Sequence, residues 1–294
     1  MTIKKSLSER IFSGVNAIIL IVLTFICVYP MIHILAASLS NSSAIASHRG
    51  LLFFPKGFSL QSYELVFANP YIFTGYRNTI FYVVAATLLN LLLTTLAAYA
   101  LSRQQNKLRG ALMLFITFTM YFNGGLVPTY ILINNLLGIA NTPWVMILPG
   151  AVSAYNLIIM RTFFAGIPVA MEESAKIDGA HDFIVLFRIF VPLAKPVIAV
   201  MTLFYGVGHW NAWFNASLYI QNRDLLPLQV ILREILIQNS TQSMTTSVES
   251  FDKMQVAETV KYATIIVATL PILALYPFLQ KYFVKGVMIG SIKG

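Results

Sequence analysis

The stretch from Ile167 to Leu193 reads IPVAMEESAKIDGAHDFIVLFRIFVPL, and it is where charge collects in an otherwise apolar chain. Glu172, Glu173, Lys176, Asp178, Asp182 and Arg188 stand between two long hydrophobic runs. A charged cluster so placed is expected in water between two membrane spans. Its local chemistry predicts a short helix, a turn and a second helix. Pro168 suits a first helical turn, and Glu172 and Glu173 follow where negative charge meets the positive helix end. Glu172 and Lys176 stand four apart in the favourable order. Gly179 is placed to stop the helix in a left-handed conformation, and Asp182 to cap the next one, which runs toward Pro192. Ala170, Met171, Ser174, Ala175 and Ile177 form a small, mostly apolar stripe that another surface could approach closely.

Working outward, the chain is 57% hydrophobic and only 11% charged, against about 25% charge in a soluble domain. Its mean hydropathy is +0.74. The apolar runs are continuous rather than alternating, which predicts an all-α integral membrane protein and not a barrel. The net charge of +9 is therefore not a nucleic-acid signal, because Lys and Arg mark cytoplasmic loops in such chains. The lone cysteine, Cys27, allows no intrachain disulfide.

The charged stretch resembles the cytoplasmic loop of membrane subunits of binding-protein-dependent ABC importers. That loop reads E-A-A, three residues, G, nine residues, I-x-L-P. Here Glu173-Ser174-Ala175 is followed at those offsets by Gly179 and by Ile189-Phe190-Val191-Pro192, with Ser174 and Val191 as mild departures. Asp178 and Ala180 beside the glycine match the sugar-importer version, maltose-transporter-like, in its complex-oligosaccharide subgroup. Phe122–Tyr130 and Arg161–Phe164 also resemble that subgroup, and the C-terminal tail resembles the usual ending of these subunits. The resemblance implies a permease subunit, not catalytic by itself, that moves a sugar or oligosaccharide across the cytoplasmic membrane. It implies a second homologous permease subunit, two ATP-binding cassette ATPase subunits that carry the ATP and Mg, and an extracytoplasmic solute-binding protein. It also implies that Ala170, Met171, Glu172, Glu173, Ser174, Ala175, Ile177, Asp178, Gly179 and Ala180, with Ile189 and Pro192, form the ATPase-coupling surface, Glu173 pairing with a basic ATPase residue. An ordinary amphipathic loop helix lying on the membrane surface is the other reading of the same residues.

Six transmembrane helices are expected near Val15–Leu35, Asn78–Leu101, Ala111–Ile133, Pro143–Phe163, Lys195–Asn211 and Tyr262–Gln280, with the coupling loop Ile167–Pro192 between the fourth and fifth. The run after Met1–Arg10 is too long for a cleaved signal peptide and reads as a retained first span. His33, near its end, is either a functional group or a hydrogen-bonded structural one. Residues 38–77 read as a loop whose aromatics suit the membrane interface or an outer platform. Leu225–Ile237 is expected to be a short amphipathic helix beginning near Pro227. Asn239–Ser250, rich in Ser, Thr and Gln, is expected to be an exposed loop.

Candidates for a translocation pathway are Asn90 at mid-span, the break Asn123-Gly124-Gly125, Tyr155, Asn156, Trp210, Asn211 and Trp213. Each has a blander alternative. Asn90 also suits interhelical glue, the glycines a kinked packed helix, and the indoles an interfacial belt. Of the 20 Lys and Arg, thirteen fall in the N-tail, the 103–109 loop, the charged loop and the C-tail. Both termini are therefore expected in the cytoplasm.

No phosphate-binding loop, metal-ligand spacing or nucleophile elbow occurs, so no cofactor is expected on this chain. The spans hold few charges, which disfavours an ion-coupled secondary carrier, and the missing catalytic groupings disfavour a membrane-embedded enzyme. Import of a non-sugar solute is the nearest rival.

Overall fold

The computed structural model describes residues 6–103, 105–237, 256–274 and 277. The described residues are helical apart from loops and one antiparallel bridge, Ser40 with Phe58. They fall into two units, Met1–Pro70 with Leu232–Leu270, and Tyr71–Ile231 with Pro271–Gly294.

The first unit opens with α1 (Leu7–Ser38), started by a capping box in which Ser6 and Glu9 exchange side-chain and backbone hydrogen bonds. None of its most apolar window is buried within the chain. A helix apolar all round and uncovered by its own chain needs hydrocarbon or another protein around it. Two short helices follow, α2 (Ser42–Ala46) and α3 (Gln61–Ala68). The loop between them is stitched to the end of α1. Ser40 Oγ donates to the Ala36 carbonyl at 2.6 Å and accepts from the Lys56 amide at 2.9 Å, and Ser38 Oγ meets Tyr63 Oη at 2.8 Å. His33 hydrogen-bonds Tyr29 at 3.3 Å and packs edge-on to Tyr262, which makes it a structural group.

The second unit is threaded by α4 (Pro70–Ser102). This helix starts well before the Asn78 expected for it. Pro70 is a good first helical residue, and the aromatic stretch after it continues the helix instead of forming a loop. One face, Gly75, Asn78, Thr79 and Tyr82, clasps the turn 224–228. Asn78 Nδ2 donates to the Asp224 and Leu226 carbonyls at 2.7 and 3.0 Å, Tyr82 Oη donates to the Leu225 carbonyl at 2.8 Å, and Thr79 Oγ1 accepts from the Leu228 amide at 2.8 Å. The backbone groups left over at the turn are thereby satisfied by side chains.

The region expected as a third span, Ala111–Ile133, is not one helix. α5 (Arg109–Tyr121) and α6 (Leu126–Leu136) meet at a 110° bend. The bend falls at Phe122-Asn123-Gly124-Gly125, where Asn123 Oδ1 accepts from the Gly125 amide at 2.8 Å and Gly125 takes φ +87°. The thirteen residues of α5 reach only about 20 Å, short of a bilayer core. The expected fourth span, Pro143–Phe163, is likewise divided into α7 (Trp144–Ile147) and α8 (Ala154–Ala165), because Pro149, Gly150 and Ser153 interrupt it. Ser153 caps α8 through the Asn156 amide.

Then come α9 (Val169–Ile177), α10 (Asp182–Leu193), α11 (Lys195–Trp210), α12 (Phe214–Tyr219), α13 (Leu228–Ile237) and α14 (Val256–Ala274). α14 begins earlier than the expected Tyr262, since Glu258 and Lys261 ride on its first turns instead of ending a loop. The expected end of that span at Gln280, the C-terminal tail and the loop 239–255 lie outside the described residues. The core of the second unit gathers Leu157, Met160, Phe164, Val185, Leu186, Phe190 and Met201 around the C-terminal end of α4. It sits directly beside the charged stretch.

Candidate functional site

The charged stretch folds as two short helices at a sharp turn. α9 meets α8 at 71°, and α10 meets α11 at 84°. Pro168 occupies the N-cap position with extended ψ, so the helix proper begins at Val169, one residue later than expected. At the other end the turn is a complete Schellman motif. The Gly179 amide donates to the Lys176 carbonyl at 3.1 Å and the Ala180 amide to the Ala175 carbonyl at 2.9 Å. Gly179 holds φ +81°, the left-handed conformation read from its position. Asp182 does not cap α10. His181 takes the N-cap position without a side-chain bond, and the Asp182 carboxylate instead pairs with Lys176 at 3.1 Å. Within α10, Leu186–Phe190 is a π turn, an irregularity frequent at functional sites.

Among the side chains of α9, Glu172 alone is buried, 3% exposed. It was expected in water, and burial of one carboxylate of the cluster needs compensation. Two cations provide it. Oε1 accepts from Lys176 Nζ at 2.8 Å and Oε2 from Arg103 Nη1 at 2.7 Å. Arg103 had no role in the sequence beyond a cation in the loop after the second span. It stands one residue past α4 and is fully committed. Nε donates to Ser102 Oγ at 2.9 Å, Nη2 donates to the Phe164 carbonyl at the end of α8 at 2.8 Å, and the guanidinium lies 4.4 Å from the Phe190 ring centre. A planar fork can serve three acceptors and an aromatic face at once, which an ammonium cannot. The only signal that could have found it is its place at the end of an apolar helix, where a cation meets the negative end of the dipole.

Burial alone pushes the Glu172 carboxyl up, but the hydrogen bonds and charges of Lys176 and Arg103 outweigh it and hold the group below its ordinary 4.5. Lys176 is pushed up to about 12 by its hydrogen bonds to Glu172 and Asp182. A carboxylate with a depressed folded value contributes stability above its ordinary value and loses it as pH falls through the folded one. Lys176 contributes below its ordinary 10.5 and loses that contribution as pH rises through about 12. The expected result is a Tm gap between wild type and Glu172→Gln that is flat at neutral pH and shrinks once pH drops below 4.5. Thermal melts of the detergent-solubilised protein across that range check it; a gap that widened on acidification would refute the assignment.

The outward face of α9 carries Ala170, Met171, Glu173, Ser174 and Ile177, all exposed, with Asp178 and Gly179 exposed at the turn. Ala175 and Ala180 turn partly inward and pack on the core, as does Ile189, while Pro192 is exposed.

The pathway candidates separate. Tyr155, Asn156 and Trp210 line one cavity of about 1010 Å³ between α4, α8 and α11. Its walls are mostly apolar, Leu88, Leu91, Leu203 and Phe204 among them, with Thr87 and Thr202 also lining it and Ile272 of α14 at one edge of the lining. Among the described residues, Thr87 Oγ1 and Trp210 Nε1 have no hydrogen-bond partner. Asn90 is fully buried and its Nδ2 lies 3.0 Å from His209 Nε2, tying α4 to α11. Asn211 is exposed and Trp213 half-buried, and neither lines the cavity; nor do Asn123, Gly124 and Gly125, which are exposed at their bend. Among the described residues no cluster of His, Cys, Asp or Glu could hold a metal.

A family model described as "Binding-protein-dependent transport system inner membrane component" matches residues 90–289. The polygalacturonan/rhamnogalacturonan transport system permease protein YtcP of Bacillus subtilis is 39% identical over 98% of this chain and all of that protein. Protein LplC of the same organism is 40% identical over all of this chain and 98% of that protein. Among solved structures, a bacterial ABC transporter involved in the import of the acidic polysaccharide alginate superposes with a TM-score of 0.86 and 33% identity, covering 96% of this chain and all of that one.

Proposed function

Since this chain belongs to the binding-protein-dependent transport system inner membrane component family, we propose that it is the membrane-spanning permease subunit of an ATP-driven oligosaccharide importer. The observation that carries this reading is α9. It is a helix whose single buried side chain is a carboxylate, with an exposed, mostly small-residue face beside a left-handed glycine, in a chain whose α1, α4 and α14 are long and apolar enough to cross a bilayer. Such a face has no function unless something docks on it.

Six crossings fit the helices: α1, α4 and α14 are each long and apolar enough alone, and the other three fall on α5 with α6, on α8 and on α11, the last two reaching that length only with the helices they bend into, α9 and α10. Both termini and the 167–192 loop lie in the cytoplasm, in keeping with the excess of Lys and Arg in those segments. An ATPase subunit receives Ala170, Met171, Ser174 and Ile177 in a cleft, and Glu173 pairs with a basic residue there. ATP and Mg bind the ATPase pair. A second permease completes the membrane unit, and an extracytoplasmic binding protein delivers the substrate. When ATP closes the ATPase pair, α9 moves as a rigid body and the membrane halves change the side to which they open.

The substrate is an oligosaccharide rich in uronic acid. The relatives support this, since one is named a polygalacturonan/rhamnogalacturonan transport system permease protein and another is a transporter involved in the import of alginate. The cavity of α4, α8 and α11 is mostly apolar and offers few polar groups beyond Thr87, Asn156 and Trp210, so a bound saccharide makes most of its polar contacts elsewhere in the assembly.

Co-purification of a tagged chain tests the reading: an ATPase and a second permease should accompany it. Glu173→Lys should lower ATPase recovery at least about tenfold with unchanged membrane insertion. Competition on the cognate binding protein should favour oligogalacturonate or oligo-alginate over maltodextrin. Uptake by the chain alone in liposomes, without ATPase, would refute the assignment.

A further inference from the structure

We propose that Arg103 is a positioning residue for coupling, and that the Glu172 carboxylate divides the motion of α9 into two branches. This rests on the permease reading above. Glu172 is the one buried side chain of α9 and its charged link to the rest of the chain, and its two oxygens point to different destinations. Oε1 goes to Lys176, which also grips Asp182 at the start of α10, the route into α11. Oε2 goes to Arg103, one residue beyond α4. Arg103 in turn holds the last turn of α8 through the Phe164 carbonyl and its own helix end through Ser102. Displacement of α9 therefore pulls on α4 directly as well as on α11 through α10.

The two branches meet again where α4 and α11 are bonded to each other. Thr87 of α4 and Trp210 of α11 line the cavity, and close to them in sequence Asn90 and His209 bond the two helices together. Moving both helices from one carboxylate keeps them in step across that bond. Moving α11 alone would shear it.

The neighbourhood distinguishes this from a surface ion pair. The side chains of Arg103 and Glu172 are 11% and 4% exposed, so the pair is little screened by water. The guanidinium also stacks near Phe190, in the π turn of α10, so the α4 branch senses the position of both helices of the loop.

The experiment uses the complete complex, purified with its ATPase, second permease and binding protein and reconstituted in vesicles. The readout is sugar delivered per ATP hydrolysed. Arg103→Gln and Glu172→Gln should each lower that ratio at least about five-fold while the complex still assembles and hydrolyses ATP. The double variant should be no worse than either single one, because both cut the same link. Arg103→Lys keeps the charge and loses the fork, and should fall between wild type and Arg103→Gln. An unchanged ratio in Arg103→Gln, or strictly additive losses in the double variant, overturns the proposal. Should Arg103→Gln fail to assemble, Arg103→Lys decides: a wild-type ratio, or failure to assemble again, assigns Arg103 a purely architectural role and overturns it too. Absence of an ATPase from the purified wild-type complex would instead sink the permease reading itself.

Discussion

Replacing Gly179 with valine is expected to cut sugar uptake at least about tenfold while the chain still inserts in the membrane. The residue holds φ +81°, a conformation that costs an L-residue about 1–2 kcal/mol and a β-branched one more. Each 1.4 kcal/mol is about a factor of ten in any equilibrium that depends on the turn. A Cβ built there meets nothing within 4 Å, so crowding inside this chain plays no part. The whole intramolecular penalty is in the backbone. That separates two causes. Asparagine tolerates the left-handed region, so Gly179→Asn should keep the turn and most of the uptake if strain alone matters. If Gly179→Asn inserts normally yet fails to couple, the ATPase surface lies against this turn and rejects any side chain. Vesicle uptake normalised to inserted protein gives the answer, and full uptake by Gly179→Val would remove the turn from the mechanism.

The second large effect is expected at Gly75, where the cause is space. A Cβ on Gly75 would lie 2.6 Å from Ile231 Cδ1, 3.0 Å from Leu228 Cα and 3.2 Å from the Leu228 amide nitrogen. The first contact is the end of a flexible side chain and can yield. The other two are backbone, and the same Leu228 amide donates to Thr79. Gly75→Ala should destabilise the second unit by about 1–3 kcal/mol. Gly75→Leu should open the clasp of Asn78, Thr79 and Tyr82 on the 224–228 turn and prevent recovery of folded protein. Combining Gly75→Ala with Ile231→Val should restore part of the loss but not all, because the backbone contact remains. Size-exclusion profiles and thermal melts in detergent measure all three. A Gly75→Leu protein with a wild-type melt would contradict the packing described.

What could be read from the residues and what could not divide along sequence distance. The helix-turn-helix, the Schellman turn at Gly179 and the Glu172–Lys176 pair are local, within about one or two helical turns, and their chemistry is visible in the order of residues. Lys195–Trp210 was equally plain, because an unbroken apolar run bounded by a cation and aromatics has few alternatives. Arg103 was not visible as anything but a loop cation, since its partner Glu172 lies 69 residues further on. The early start of α4 was hidden because Tyr71–Asn78 is polar and aromatic. Its helicity follows from the contacts of Gly75 and Asn78 with a turn far down the chain. Asp182 has the chemistry of a cap, yet its neighbour His181 occupies that position, a one-residue displacement of the kind helix ends routinely show. The divided third crossing was foreshadowed by Gly124 and Gly125, but the size of its bend has no local signature.

The clasp on α4 has a consequence for how the protein is made. Asn78 precedes its two carbonyl acceptors by 146 and 148 residues. At 5–20 residues per second, a ribosome needs roughly 7–30 s to synthesise the intervening segment. Through that interval the newly inserted helix carries an amide, a hydroxyl and a phenol whose eventual partners do not yet exist. The nascent protein thus passes through a stage in which early spans are threaded but unlatched, and insertion chaperones and membrane proteases would meet it there.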